Sequence, residues 1–153
     1  MKRPIRPLLP ILALLAVSGA AVVSAQEALR PTPSDALGPF YEPGAPVRAS
    51  VGQGYQLAGR VLSSRDGSAL PGAVLEMWLA GPDGEYSDDY RATVIADAEG
   101  RYRFTSHPPP PYAGRPPHIH LRVSAEGHAT LVTQHYPKAG RREAFFDLVL
   151  RPR

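Results

Sequence analysis

From Gln56 onward, apolar and polar residues alternate with the two-residue period of half-buried strands, and no stretch sustains a helical period. Residues 56–62 alternate and stop at the turn Ser64-Arg65-Asp66-Gly67. Leu70-Pro71-Gly72 then turns into a second expected strand, 73–80, which carries the lone Trp78 and ends at Gly81-Pro82-Asp83-Gly84. A short strand at 93–96 is followed by the turn Asp97-Ala98-Glu99-Gly100. The next strand, 101–104, buries Tyr102 and Phe104 by its alternation. Residues 118–123, 131–134 and 145–150 supply three more. Short strands separated by Gly, Pro and Asp turns predict an all-β fold, an immunoglobulin- or transthyretin-like antiparallel β-sandwich spanning residues 56–153.

Two segments fall outside that pattern. Residues 26–55 are proline-rich, with Pro31, Pro33, Pro39, Pro43 and Pro46 excluding a regular helix or a central strand. They read as a strap laid on the sandwich, forming one domain with it, and Gly38-Pro39-Phe40-Tyr41 places two aromatics in that strap. Residues 1–25 carry Lys2, Arg3 and Arg6, then an apolar run, then the small-x-small triplet Val23-Ser24-Ala25. This is the pattern of a signal peptide, with export to the periplasm or the cell exterior and no stable membrane span after cleavage.

That leader changes the charge argument. It holds three of the 17 Lys and Arg residues and none of the 14 Asp and Glu, so the remainder carries 14 of each sign. Neither a Lys/Arg cluster nor a basic motif interleaved with aromatics is present, which argues against a nucleic-acid partner. The chain has no Cys. Disulfides, thiolate zinc sites, iron–sulfur clusters and Cys nucleophiles are thereby excluded, and any metal must be held by His, Tyr or carboxylates.

The richest chemistry lies in Arg115-Pro116-Pro117-His118-Ile119-His120. Residues i and i+2 of a strand share a face, so His118 and His120 stand together with Ile119 turned the other way. Such a pair is either two polar groups on a solvated face or two ligands for one metal ion. His107, His128 and His135 read as loop or surface histidines.

The turns and core residues around Gly59, Pro71-Gly72-Ala73-Val74 and Asp97-x-x-Gly100-x-Tyr102-x-Phe104 resemble transthyretin-like and carboxypeptidase-regulatory-like modules, which bind without catalysis. A second set of residues is not needed by such modules. Trp78-x-Ala80, Gly84-x-Tyr86, Tyr112, Arg115-Pro116-x-His118-x-His120 and Thr133-Gln134-x-Tyr136, with Gly38-Pro39-Phe40-Tyr41 before them, resemble the intradiol ring-cleavage dioxygenases, in particular the protocatechuate 3,4-dioxygenase-like catalytic β-core. The resemblance implies iron(III) bound by Tyr86, Tyr112, His118 and His120, with Tyr112 yielding to the substrate. It also implies a catechol-type aromatic diol and O₂ as substrates and a muconate-type dicarboxylate as product. By the same resemblance Arg115 stabilises charge on the substrate, which it also helps to bind, and Gln134 orients ligands or substrate, both as catalytic residues. The strap aromatics either tuck into a surface groove or, in the case of Tyr41, line the substrate pocket. Two departures stand out: the loop joining Tyr112 to His118 is short, with Gly114 where the family has an aromatic, and no N-terminal helical dimerisation region is visible. Oligomeric state is left open.

Overall fold

In the computed structural model, residues 28–153 are described; the expected signal peptide lies outside them. Eight strands run in chain order: β1 (Tyr55–Ser63), β2 (Val74–Trp78), β3 (Arg91–Ile95), β4 (Arg101–Ser106), β5 (Ile119–Ser124), β6 (Leu131–His135), β7 (Glu143–Phe145) and β8 (Leu148–Leu150). Their only helical companion among the described residues is a 3₁₀ turn at Asp88–Tyr90. No helix there is long and apolar enough to cross a membrane.

The strands form two sheets, β3-β2-β5-β6 and β4-β1-β7, with β8 also pairing β1. Between the sheets sits a core built from alternate positions of every long strand: Leu57 and Val61, Leu75 and Met77, Tyr102 and Phe104, Ile119, Leu121 and Val123. Most of these side chains are wholly removed from water, which is the main favourable term holding the sheets together.

The expected strands are present, with one revision. The run 145–150 is two short strands, not one, and both lie parallel to β1 in an otherwise antiparallel sandwich. The break has a local cause. The chain crosses Gly59 of β1 so closely that a Cβ there would run into the Phe146 carbonyl, and that carbonyl accepts from the Tyr102 hydroxyl at 2.6 Å. Asp147 then turns away from the ladder to accept the Arg60 backbone N–H at 2.8 Å.

The proline-rich strap lies on the β3-β2-β5-β6 sheet and is stitched to both sheets. Thr32 N–H donates to Val149, Asp35 N–H to Val132, Arg48 N–H to Thr93 and Val51 N–H to Thr105, all at 2.9–3.1 Å. Prolines remove donors from this segment, so it borrows isolated hydrogen bonds from strand edges instead of forming a ladder of its own.

Candidate active site

The strap covers the outer face of the β3-β2-β5-β6 sheet. There the register aligns Trp78 of β2, His120 of β5 and Gln134 of β6 in one cross-strand row. Because His118, Ile119 and His120 alternate, Ile119 enters the core while both imidazoles face the strap. Both are buried, 3% and 2% exposed, which removes the reading of a solvated polar face.

Three donor atoms converge. The Tyr86 hydroxyl lies 3.3 Å from His118 Nε2 and 3.4 Å from His120 Nε2. His118 is oriented by its other nitrogen, Nδ1, which lies 2.8 Å from the Pro116 carbonyl. His120 is sandwiched: Trp78 stacks on it at 4.9 Å with rings 3° from parallel, and Gly38 of the strap lies against its Cε1 edge. A Cβ on Gly38 would sit 3.1 Å from that edge, and its φ of +74° already favours glycine. Tyr86 is delivered by a tight turn in which Gly81 N–H bonds the Glu85 carbonyl and Gly84 N–H bonds that of Gly81.

Burial sets the protonation of these groups. It pushes the Tyr86 phenol up to about 12, with Tyr112 adding to the rise and Arg115 opposing it. Burial, reinforced by His118 and Arg115, pushes His120 down to about 4, so the ring is neutral near pH 7 with a lone pair to offer.

Tyr112 and Arg115 reach the same cavity from a single turn. Tyr112 N–H and C=O pair with those of Arg115, and both residues between them have positive φ: Ala113 at 47° and Gly114 at 77°. That is a two-residue type I′ turn, which explains why the loop is short and why Gly stands at its second corner. Tyr112 meets Tyr86 and Phe40 edge-on at 5.2 and 5.5 Å. The cavity of about 310 Å³ is lined by Gly38, Pro39, Phe40, Tyr86, Tyr112, Ala113, Arg115, His118 and His120.

Arg115 is fixed by a network that ties the site to the strap. Its guanidinium donates to Gln134 Oε1 at 2.8 Å and to the Tyr136 hydroxyl at 3.0 Å. Gln134 Nε2 donates to the Ala36 carbonyl at 2.6 Å, and the Tyr136 hydroxyl lies 2.8 Å from Asp35 Oδ2. The bond from Tyr136 holds the Asp35 carboxyl below the usual range.

Tyr41, expected at the substrate pocket, lies elsewhere. Its hydroxyl donates to Glu76 Oε1 at 3.0 Å, its ring packs on Trp78, and Arg122 sits over it. The neighbouring strap aromatic, Phe40, lines the cavity instead, stacked on Tyr86 at 4.3 Å. In an extended segment adjacent side chains point apart, so only one of the pair could enter. Of the histidines expected at loops or the surface, His107 does lie in a loop but off the surface, and His135 is revised to a strand. His107 is buried with Nε2 at 2.8 Å from the Ala80 carbonyl, and His135 ends β6 with Nε2 at 2.7 Å from the Tyr55 hydroxyl. Sequence reading missed Asp35 and Ala36, whose only signal is their place just ahead of Gly38-Pro39-Phe40.

Among the described residues no three His, Cys, Asp or Glu side chains cluster as a metal site, so any ion must draw on phenols. The donors fit one. Oxygen and nitrogen atoms 3.3–3.4 Å apart are about as far from each other as ligands sharing a transition-metal ion at ~2 Å. Two imidazoles with phenolates form a hard, anionic set suited to a ferric ion.

Comparison with known proteins places the chain in a family. A family model described as Dioxygenase matches residues 44–149. Chlorocatechol 1,2-dioxygenase of Pseudomonas sp. strain P51 is 33% identical over 137 residues, covering 67% of this chain and 54% of its own. Catechol 1,2-dioxygenase of Candida albicans is 36% identical over 154 residues, covering 76% and 50%. The solved dioxygenase domain of a dioxygenase–carbohydrate-binding protein fusion from Streptomyces sp. SirexAA-E superimposes with a TM-score of 0.73 at 28% identity, over 81% of this chain and all of that one. The chain belongs to the intradiol ring-cleavage dioxygenase family. It spans about half the length of the curated relatives it matches.

Proposed function

We propose that this protein is an exported iron(III) dioxygenase that cleaves a catechol-type ring between its two hydroxyl-bearing carbons. The convergence of Tyr86 Oη with the Nε2 atoms of His118 and His120, in a cavity shared with Tyr112 and Arg115, carries the reading. Tyr86, His118, His120 and Tyr112 would hold the iron. Bound there, iron(III) supplies Lewis acidity that draws electron density from a coordinated diol and opens its ring to O₂. Both oxygen atoms enter the product, one carbon–carbon bond breaks, and two carboxyl groups result, so no external reductant is needed.

The chain's own groups do the rest. Tyr86 is locked by its face-to-face stack on Phe40, whereas Tyr112 meets both rings only edge-on from a surface turn and is the phenol that would swing aside for substrate. Arg115 brings a fixed positive charge to the cavity, held there by Gln134 and Tyr136, and stabilises the substrate as its hydroxyls lose protons. Phe40 and Pro39 give the aromatic ring an apolar wall and exclude water from that side.

The test is the visible spectrum of the purified, iron-quantified protein before and after anaerobic catechol. A phenolate-to-iron(III) charge-transfer band that shifts with catechol and is lost in Tyr86→Phe is expected, with O₂ uptake matching dicarboxylate formed. A protein that stays colourless after iron reconstitution would leave a non-catalytic sandwich module as the reading. Export is checked separately: N-terminal sequencing of protein from outside the cytoplasm should begin at Gln26.

A further inference from the structure

The second sheet presents a face that the strap leaves open. Strand register arranges its outward side chains in rows across three strands. Phe145 of β7, Ala58 of β1 and Arg103 of β4 form one row, and Arg60 and Arg101 form the next. Phe145 is 82% exposed, and among the described residues no other ring packs on it. An isolated exposed Phe needs no explanation. This one stands between two grooves of about 350 and 410 Å³, and small Ala58 keeps the floor low between the ring and the guanidinium of Arg103.

The charges are mixed in a particular way. Arg60, Arg101 and Arg103 come from two strands more than 40 residues apart, yet they gather beside the Phe145 ring. Lys138 and Arg141 line the groove on the ring's other side. Carboxylates are interspersed: Asp147 and Glu143 at the groove edges, and Glu99 at 3.9 Å from Arg101 in a pair more than half exposed on both sides. Such exposed pairs contribute little, so the guanidinium groups stay available to a ligand.

We propose that this face docks an acidic polysaccharide. Guanidinium groups bind carboxylates bidentately, which suits uronate units. The aromatic face, negative in its quadrupole, accepts the C–H face of one sugar ring. Asp147 and Glu143 offer acceptors to hydroxyl groups, which a sugar has in abundance. A nucleic acid fits less well: it would call for an unbroken basic surface and several free stacking rings, whereas here carboxylates interrupt the cations and the second exposed ring, Tyr136, is tied to Arg115 and Asp35 through its hydroxyl. The assignment does not depend on the dioxygenase reading: Phe145, Arg60, Arg101 and Arg103 line none of the iron cavity, and only Tyr136, at the far edge of the second groove, also bonds Arg115.

Calorimetric titration of the full chain with polygalacturonate at low and at raised salt tests it, with neutral dextran and duplex DNA as comparison ligands. Saturable binding that weakens with salt is expected, absent for dextran and weaker for DNA. Arg101→Gln/Arg103→Gln should weaken it at least tenfold. Phe145→Ala, which changes no charge, should weaken it about tenfold, as loss of an aromatic anchor does, and Phe145→Tyr should restore it. No binding, equal binding to DNA, or unchanged binding by Phe145→Ala would overturn the proposal. So would sedimentation showing that Phe145 instead supports a dimer of this chain.

Discussion

The two outer faces of this sandwich make an instructive pair. Each has a cross-strand row with an aromatic at one end, Trp78–His120–Gln134 on one sheet and Phe145–Ala58–Arg103 on the other. The strap lies on the first row and not on the second. Under it, Trp78, His120 and Gln134 are 2–4% exposed; on the open face, Phe145 is 82% exposed. Covering turns polar side chains into fixed instruments: His120 is clamped between Trp78 and Gly38, and Gln134 must bond Ala36 because no water reaches it. The open row keeps its charges solvated and adaptable, as a surface for a large ligand requires.

Substitutions should separate the faces by size of effect. The largest belongs to the covered row: His120→Ala should abolish stoichiometric iron and lower turnover more than about a hundredfold, read by metal analysis and O₂ uptake, since the proposed iron site would lose one of its ligands. Shared core comes next. Phe104→Ala, wholly buried between the sheets, should lower stability by about 3–5 kcal/mol in urea unfolding, because both faces rest on the same core.

The network behind Arg115 should give a smaller effect. Tyr136→Phe removes the hydroxyl that links Arg115 to Asp35. Turnover should fall about tenfold with iron content unchanged, and stability by about 1 kcal/mol. A variant that loses its iron as well would show that Tyr136 supports the metal cradle and not Arg115 alone. On the open face, Arg103→Ala should shift stability by no more than about 0.5 kcal/mol and leave turnover intact. A large loss there would mean that the two faces are not independent.

Acid stability supplies the last contrast. His135 is pushed by burial down to about 4 from an unfolded value of 6.5. Protonation therefore favours the unfolded chain. Stability from this group is full above pH 6.5 and declines as pH falls from about 6.5 toward 4. Melting temperatures across that range should fall less steeply in His135→Gln than in the parent.

Much of the site was readable because strand periodicity is local. Two positions of spacing put His118 and His120 on one face, and the Pro-Pro step before them announced the extended entry. Tyr86 and Tyr112 came from resemblance, since no spacing rule says that turns 26 residues apart meet at one cavity. The choice of Phe40 over Tyr41 was illegible for a related reason. An extended aromatic pair must send one ring each way, and only the surface beneath decides which. His135 shows the same limit: a strand end reads as surface until a partner such as Tyr55 closes over it.

What the sequence determined by itself was every strand up to β6, the turns between them and the presence of a proline-rich segment too poor in donors to join a sheet. Those follow from backbone preferences and apolar periodicity acting over a few residues. Tertiary structure alone decided which sheet that segment covers, and so which row of side chains is desolvated. It also drew Arg60, Arg101 and Arg103 together beside Phe145, though no run of basic residues marks them in the chain. Register between strands distant in sequence is set by core packing, and only that packing brings such residues within reach of one ligand.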